Sequence, residues 1–93
     1  MNNEGLCIRQ RQSAGWHLKH SYLDTYGMTV ADLAIKLDVS PDVVEKIISS
    51  ELAITAEMAI KLGAALETSA ELWLNLQNAH ALDQVRQFEL QLA

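Results

Sequence analysis

"TVADLAIKLDVSPDVVEKII" runs from Thr29 to Ile48, and its spacing decides the fold. Val30, Leu33, Ala34 and Leu37 recur at i, i+3, i+4 and i+7, which is one apolar face of a helix. Thr29 stands at the N-cap, where a hydroxyl can take the freed N–H groups, and Asp32 favours the positive end of the helix dipole. Asp38-Val39-Ser40 then break the pattern. Pro41 opens a second helix in the first turn, where its missing N–H costs nothing. Val44, Ile47 and Ile48 supply that helix's buried face. Ala34 is small where two helices would cross, and Val39 can plug the corner. A helix, a tight turn and a second helix form the helix-turn-helix layout, here about residues 29–49. Gly is common in such a turn; Asp38 replaces it, and Asp tolerates left-handed backbone better than most residues.

Working outward, the spacing predicts three more helices. The first runs from about Gly15 to Tyr26, with Leu18, Tyr22 and Tyr26 as its stripe and Gly27 as its stop. The fourth starts after Thr55 and ends near Leu66, with Ala59, Leu62, Ala65 and Leu66 inward. Gly63 inside it costs about 1 kcal/mol relative to Ala and is read as allowing a neighbouring helix to come close. The fifth is the longest. Thr68 and Glu71 have capping-box spacing, Leu72, Trp73 and Leu76 anchor its start, and Ala79, Leu82, Val85, Phe88 and Leu92 continue it. Such a helix is too long for one small domain to cover, so its far half is a candidate dimer contact.

The composition agrees. The chain has 93 residues, 49% hydrophobic, with five aromatic residues, four Gly and one Pro. Sheets are usually richer in aromatic residues and in Gly and Pro turns. The expected fold is all-α, a single domain at 13–93 behind an N-terminal arm at 1–12 that is expected to be flexible. One cysteine, Cys7, excludes an internal disulfide framework and reads as a free thiol. No apolar run reaches the roughly 20 residues that span a bilayer. No signal-peptide pattern opens the chain, which reads as cytosolic.

Net charge is −5, unevenly spread. Residues 1–20 carry Arg9, Arg11 and Lys19 against Glu4, a balance of +2, and the rest of the chain carries −7. The basic start reads either as a solvated tail or as an arm that touches phosphate. His17 and His20 share a helix face, with Asp24 one turn on, but no further ligand joins them at a convincing spacing, so no metal or other cofactor is expected. No phosphate loop or nucleophile–base motif is present, which argues against an enzyme.

A second stretch carries a resemblance. "ITAEMAIKLGAALETSAELWLNLQNAHAL" (Ile54–Leu82) is similar to the segment of HigA/VapI-type antitoxins that reads "ALGTSPEFWLNLQ", and Trp73 to Gln77 match it letter for letter. "MTVADLAIKLDVS" resembles the family's first helix and turn, and Gly15 falls in step with the Gly of its "HPGEIL" opening. The chain thus resembles the XRE-like helix-turn-helix group over roughly residues 13–85. The resemblance implies a five-helix XRE/lambda-repressor-like domain with a long C-terminal helix. It implies a homodimer that neutralises a RelE/HigB-like mRNA endonuclease toxin by direct binding and represses its own operon at a palindromic operator. The alternatives are a stand-alone transcriptional regulator and an interaction-only module.

For DNA contact the candidates are Thr29, Ser40, Pro41, Asp42, Val43, Glu45, Lys46 and Ser49, with Arg9 and Arg11 from the arm. For the dimer they are Leu72, Trp73, Leu76, Ala79 and His80. Three departures from the family pattern stand out. Ser13-Ala14 replace its His-Pro, Asp38 replaces the Gly of the turn, and Ser50-Glu51-Leu52-Ala53-Ile54-Thr55 replace a basic "GKRRIT"-like turn. Residues 38–57 hold five carboxylates and one lysine, a balance of −4. DNA affinity rests largely on Lys and Arg neutralising phosphate. Binding is therefore expected to be weak, salt-sensitive or dependent on the toxin.

Overall fold

The structure, a computed structural model, describes residues 11–92, with side chains through Leu90. The described residues form five helices in sequence. Helix α1 comprises Ala14–His17, a π-helical stretch Leu18–Leu23, and Asp24–Tyr26; then follow α2 (Val30–Leu37), α3 (Pro41–Ile48), α4 (Ala56–Leu66) and α5 (Ala70–Leu92). All of them contribute to one core built around Leu18, Leu23, Leu33, Leu37, Val44, Ile47, Leu62 and Trp73.

The expected helix one is present, but its stripe is different. Leu18 and Leu23, five residues apart, are both buried, whereas Tyr26 is 68% exposed. An i→i+5 hydrogen bond, as from Asp24 N–H to the Lys19 carbonyl, widens the turn and brings such residues nearly into line. Tyr22 is half-buried, its ring 5.1 Å from that of Trp73. The π-turn is therefore the reason that an α-helical period misplaced Tyr26.

Four helices end in the same way. An αL residue follows the helix at Gly27, Asp38, Ser50 and Glu67. The next N–H reaches back five residues: Met28 to Leu23, Val39 to Ala34, Glu51 to Lys46 and Thr68 to Gly63. This is the Schellman geometry, and three of the four sites manage it without glycine. Asp38 at φ 58° confirms the reading of the turn.

Thr29 caps α2 in a full capping box with Asp32. The box expected at Thr68 and Glu71 is not the one formed. Ser69 Oγ accepts from Leu72 N–H at 3.0 Å, and Thr68 Oγ1 instead accepts from the buried Trp73 indole at 2.7 Å. Two glycines mark close approaches. A Cβ on Gly15 would collide with the Ile47 and Ile48 carbonyls at the end of α3, and one on Gly63 would lie 2.7 Å from the Thr68 carbonyl oxygen. The backbone that Gly63 admits is thus the turn into α5.

Candidate nucleic-acid interface and partner surface

Helix α3 buries Val44 and Ile47 and turns Pro41, Asp42, Glu45, Lys46 and, at its end, Ser49 to solvent. Of its candidate contacts, Val43 is half-buried and packs against the core. The exposed face is electrostatically occupied. Lys46 Nζ lies 3.2 Å from Asp42 Oδ2 one turn earlier, so the only cation on the helix is already paired. Ser49 Oγ sits 3.1 Å from the Lys46 carbonyl oxygen and 2.8 Å from Glu51 Oε1, which brings a further carboxylate to the helix end.

The two helix N-termini differ. Thr29 N–H donates to Asp32 Oδ2 at 3.1 Å, and Asp32 N–H donates to Thr29 Oγ1 at 3.0 Å. The Thr29 N–H, and then its hydroxyl, hold the Asp32 carboxyl below its ordinary range. A carboxylate therefore already fills the anion position at the start of α2. Ser40 makes no side-chain cap on α3. Helix N-termini attract phosphate oxygens, and by this comparison α3 offers the more open of the two.

Arg11 does not behave as part of the flexible arm expected for it. Its backbone N–H and its Nε each donate to Asp83 Oδ2 at 2.8 Å, and a terminal nitrogen donates to Oδ1 at 2.8 Å. Asp83 is 2% exposed, the buried charge among the described residues. The Arg11 side chain, then its N–H, hold this carboxyl well below the usual carboxylate range. His80 Nδ1 lies 2.7 Å from the Arg11 carbonyl oxygen, which requires the proton on that nitrogen. A guanidinium held by two bonds to one carboxylate is not a free phosphate contact. Arg9 and Cys7 lie outside the described residues.

The dimer candidates also separate. Trp73 is 0% exposed within one chain, so it is a core residue and has no surface to offer a second copy. Leu72, Leu76, Ala79 and His80 are half-buried. The apolar surface lies further on, at Leu82, Val85 and Phe88, which are 50, 56 and 60% exposed. These three follow one another at i, i+3 and i+6 along α5.

No family model matches the chain. Individual relatives do. It is 40% identical over 75 residues to antitoxin HigA-1 of Vibrio cholerae, covering 81% of this chain and 69% of that one. It is 36% identical over 72 residues to virulence-associated protein A of Dichelobacter nodosus, covering 76% and 71%. Among solved structures, Pseudomonas aeruginosa antitoxin HigA with the higBA promoter is 34% identical with a TM-score of 0.75, covering 82% of this chain and 83% of that one. The chain belongs to the HigA-type antitoxin family of helix-turn-helix proteins. Further relatives are helix-turn-helix transcriptional regulators of Haemophilus influenzae and Escherichia coli. Members of this kind are not enzymes, and neither is this chain. The matches span about two thirds of the curated relatives' own lengths. No helix among the described residues is long and apolar enough to cross a membrane.

The HigA-like signature has a structural purpose in this chain. Trp73 fills the core, and four residues later Gln77 reaches the loop after α3. Ile54 N–H donates to Gln77 Oε1 at 2.6 Å, and Gln77 Nε2 donates to the Ile54 carbonyl at 3.0 Å. One amide side chain thus satisfies both backbone groups of a buried residue. The role of Gln77 was within reach of sequence reasoning, since it closes the matched motif. That of Asp83 was not: one aspartate on a mixed helix gives no sign that it is buried.

Proposed function

We propose that this chain is a dimeric antitoxin that neutralises a RelE/HigB-like toxin by direct binding and represses its own operon through α2 and α3. The observation that carries the reading is the exposed α3 face at the end of a well-formed helix-turn-helix, in a family whose Pseudomonas member was solved with promoter DNA. Ser40, Pro41, Asp42, Glu45, Lys46 and Ser49 face the operator. Carboxylates do not forbid base reading, because Glu or Asp can accept from cytosine N4. They do remove the non-specific attraction. Repression therefore depends on the toxin, since such toxins are commonly basic and supply the missing positive charge.

The second copy docks on α5 through Leu82, Val85 and Phe88, extending from Leu76 and Ala79. An exposed apolar row of this kind favours a partner. The acidic face of α3 also supports an interaction-only module, and the regulator relatives support a stand-alone repressor. One experiment separates the three. Fluorescence anisotropy is measured on promoter and scrambled duplexes, with and without the co-purified partner from the native host. Selective binding that strengthens with a small basic partner is expected. Selective binding with no partner recovered would favour the stand-alone repressor, and a partner without DNA binding would favour the interaction module.

A further inference from the structure

We infer that Asp83 is a positioning residue for the second helix of the helix-turn-helix, acting from α5 through Arg11 and α1. Arg11 ends the tie to Asp83 only two residues before Ser13, whose Oγ accepts from Trp16 N–H at 3.0 Å and caps α1. Two residues further, Gly15 is pressed against the Ile47 and Ile48 carbonyls of α3. Asp83, Arg11, Ser13, Gly15 and the end of α3 therefore form one continuous physical chain. Every link is short and directional, from a bidentate ion pair through a helix cap to a backbone contact with no side chain between.

The alternative route from α5 to α3 is poor. A cavity of about 210 Å³ lies between them, lined by Ala14, Ile47, Leu52, Ile54, His80 and Ala81, among others. The two helices make little direct contact across that space, so direct packing is a poor carrier of displacement. The polar ties go around it, Gln77 to Ile54 on one side and Asp83 to Arg11 on the other. Asp83 is also the immediate neighbour of Leu82 on the exposed apolar row. A partner seated on that row thus bears on the helix segment that sets the pitch of α3. The link itself stands on geometry alone; its effect on DNA rests on the function proposed above.

The test is amide NMR of the full chain, comparing Asp83→Asn, Arg11→Ala, the milder Arg11→Lys, and the Asp83→Asn/Arg11→Ala pair. The reporters are the amides of Ile48 and Ser49, whose peptide carbonyls meet Gly15, and the Arg11 side-chain Nε–H. A dispersed Trp73 indole signal certifies the fold. Both single variants are expected to shift Ile48 and Ser49 in the same direction, the double variant to add nothing, and Arg11→Lys to shift them less. Loss of the Arg11 signal with Ile48 and Ser49 unmoved, or shifts that differ between the single variants, overturns the inference. If Asp83→Asn does not fold, Arg11→Lys decides by the Ile48 and Ser49 amides. On promoter DNA, Asp83→Asn is expected to weaken binding roughly 2- to 30-fold, the range for residues that couple at a distance, with the salt slope unchanged. A slope smaller by about 0.9 for Arg11→Ala, with Asp83→Asn neutral, would instead make Arg11 a phosphate contact and overturn the positioning role. A wild-type chain that ignores DNA even with its basic partner present refutes the proposed function, and the NMR arm then decides the link.

Discussion

Replacing Gln77 with Ala removes both hydrogen-bond partners of Ile54 at once. Ile54 is 4% exposed, so its N–H and carbonyl are cut off from bulk water. A buried backbone group left without a partner costs about 1–3 kcal/mol, which sets a dry-site loss of roughly 2–6 kcal/mol for the two. The adjoining cavity of about 210 Å³ lowers this figure. Its lining is mostly apolar but includes Ser13, Ser50, His80 and Gln84, and it has room for water, which can take over part of the lost bonding. The expected loss is therefore about 2–3 kcal/mol, the low end of that range. A domain of this size has a total stability of roughly 5–14 kcal/mol, so the change is large but survivable. Thermal unfolding is expected to fall by about 10–20 °C at 4–8 °C per kcal/mol. Urea unfolding followed by Trp fluorescence gives the free energy directly. Gln77→Glu keeps an acceptor for the Ile54 N–H but sets a carboxylate against the Ile54 carbonyl, and is expected to be at least as damaging. A Gln77→Ala loss under about 0.5 kcal/mol would refute the reasoning, because it would mean that the loop after α3 does not depend on this amide.

Three other outcomes follow from the same geometry. Glu67→Gly is expected to raise stability by about 0.5–1 kcal/mol, since αL backbone costs a residue with a Cβ about 1–2 kcal/mol and the gain is partly offset by the freer unfolded chain; a calorimetric Tm that falls would contradict it. Asp83, Asp24 and Asp32 are all held below their ordinary range, by Arg11, Lys19 and Thr29 respectively. Their stabilisation is fully present above the unfolded carboxylate value near pH 4 and is lost as pH falls below it, so acid denaturation curves should steepen there and flatten in Asp83→Asn. Glu51→Lys combined with Asp42→Asn is expected to free Lys46 and add one cation beside it. Anisotropy at low salt should then show tighter DNA binding, with a salt slope steeper by about 0.9 for each additional phosphate that the protein neutralises.

The sequence alone determined the reading head. Short helices with strong caps, a proline at N1 and an aspartate in the turn are local devices. Each acts within a few residues, so Thr29, Pro41 and Asp38 announced α2 and α3 without help from the rest of the chain. The acidic character of α3 was equally legible, because charge needs no geometry to be counted. What the sequence could not express was burial that depends on partners distant along the chain. A π-turn altered which side of α1 faced inward, so Leu23 took the place expected for Tyr26. Trp73 could equally have been surface or core until Thr68 and Tyr22 were brought beside it. Arg11 and Asp83, 72 residues apart, became a pair only when α1 and α5 packed together. Their side chains carry no periodic signal. The tie between the C-terminal helix and the reading helix is therefore a property of the tertiary structure, where long-range ion pairs and close backbone contacts are made.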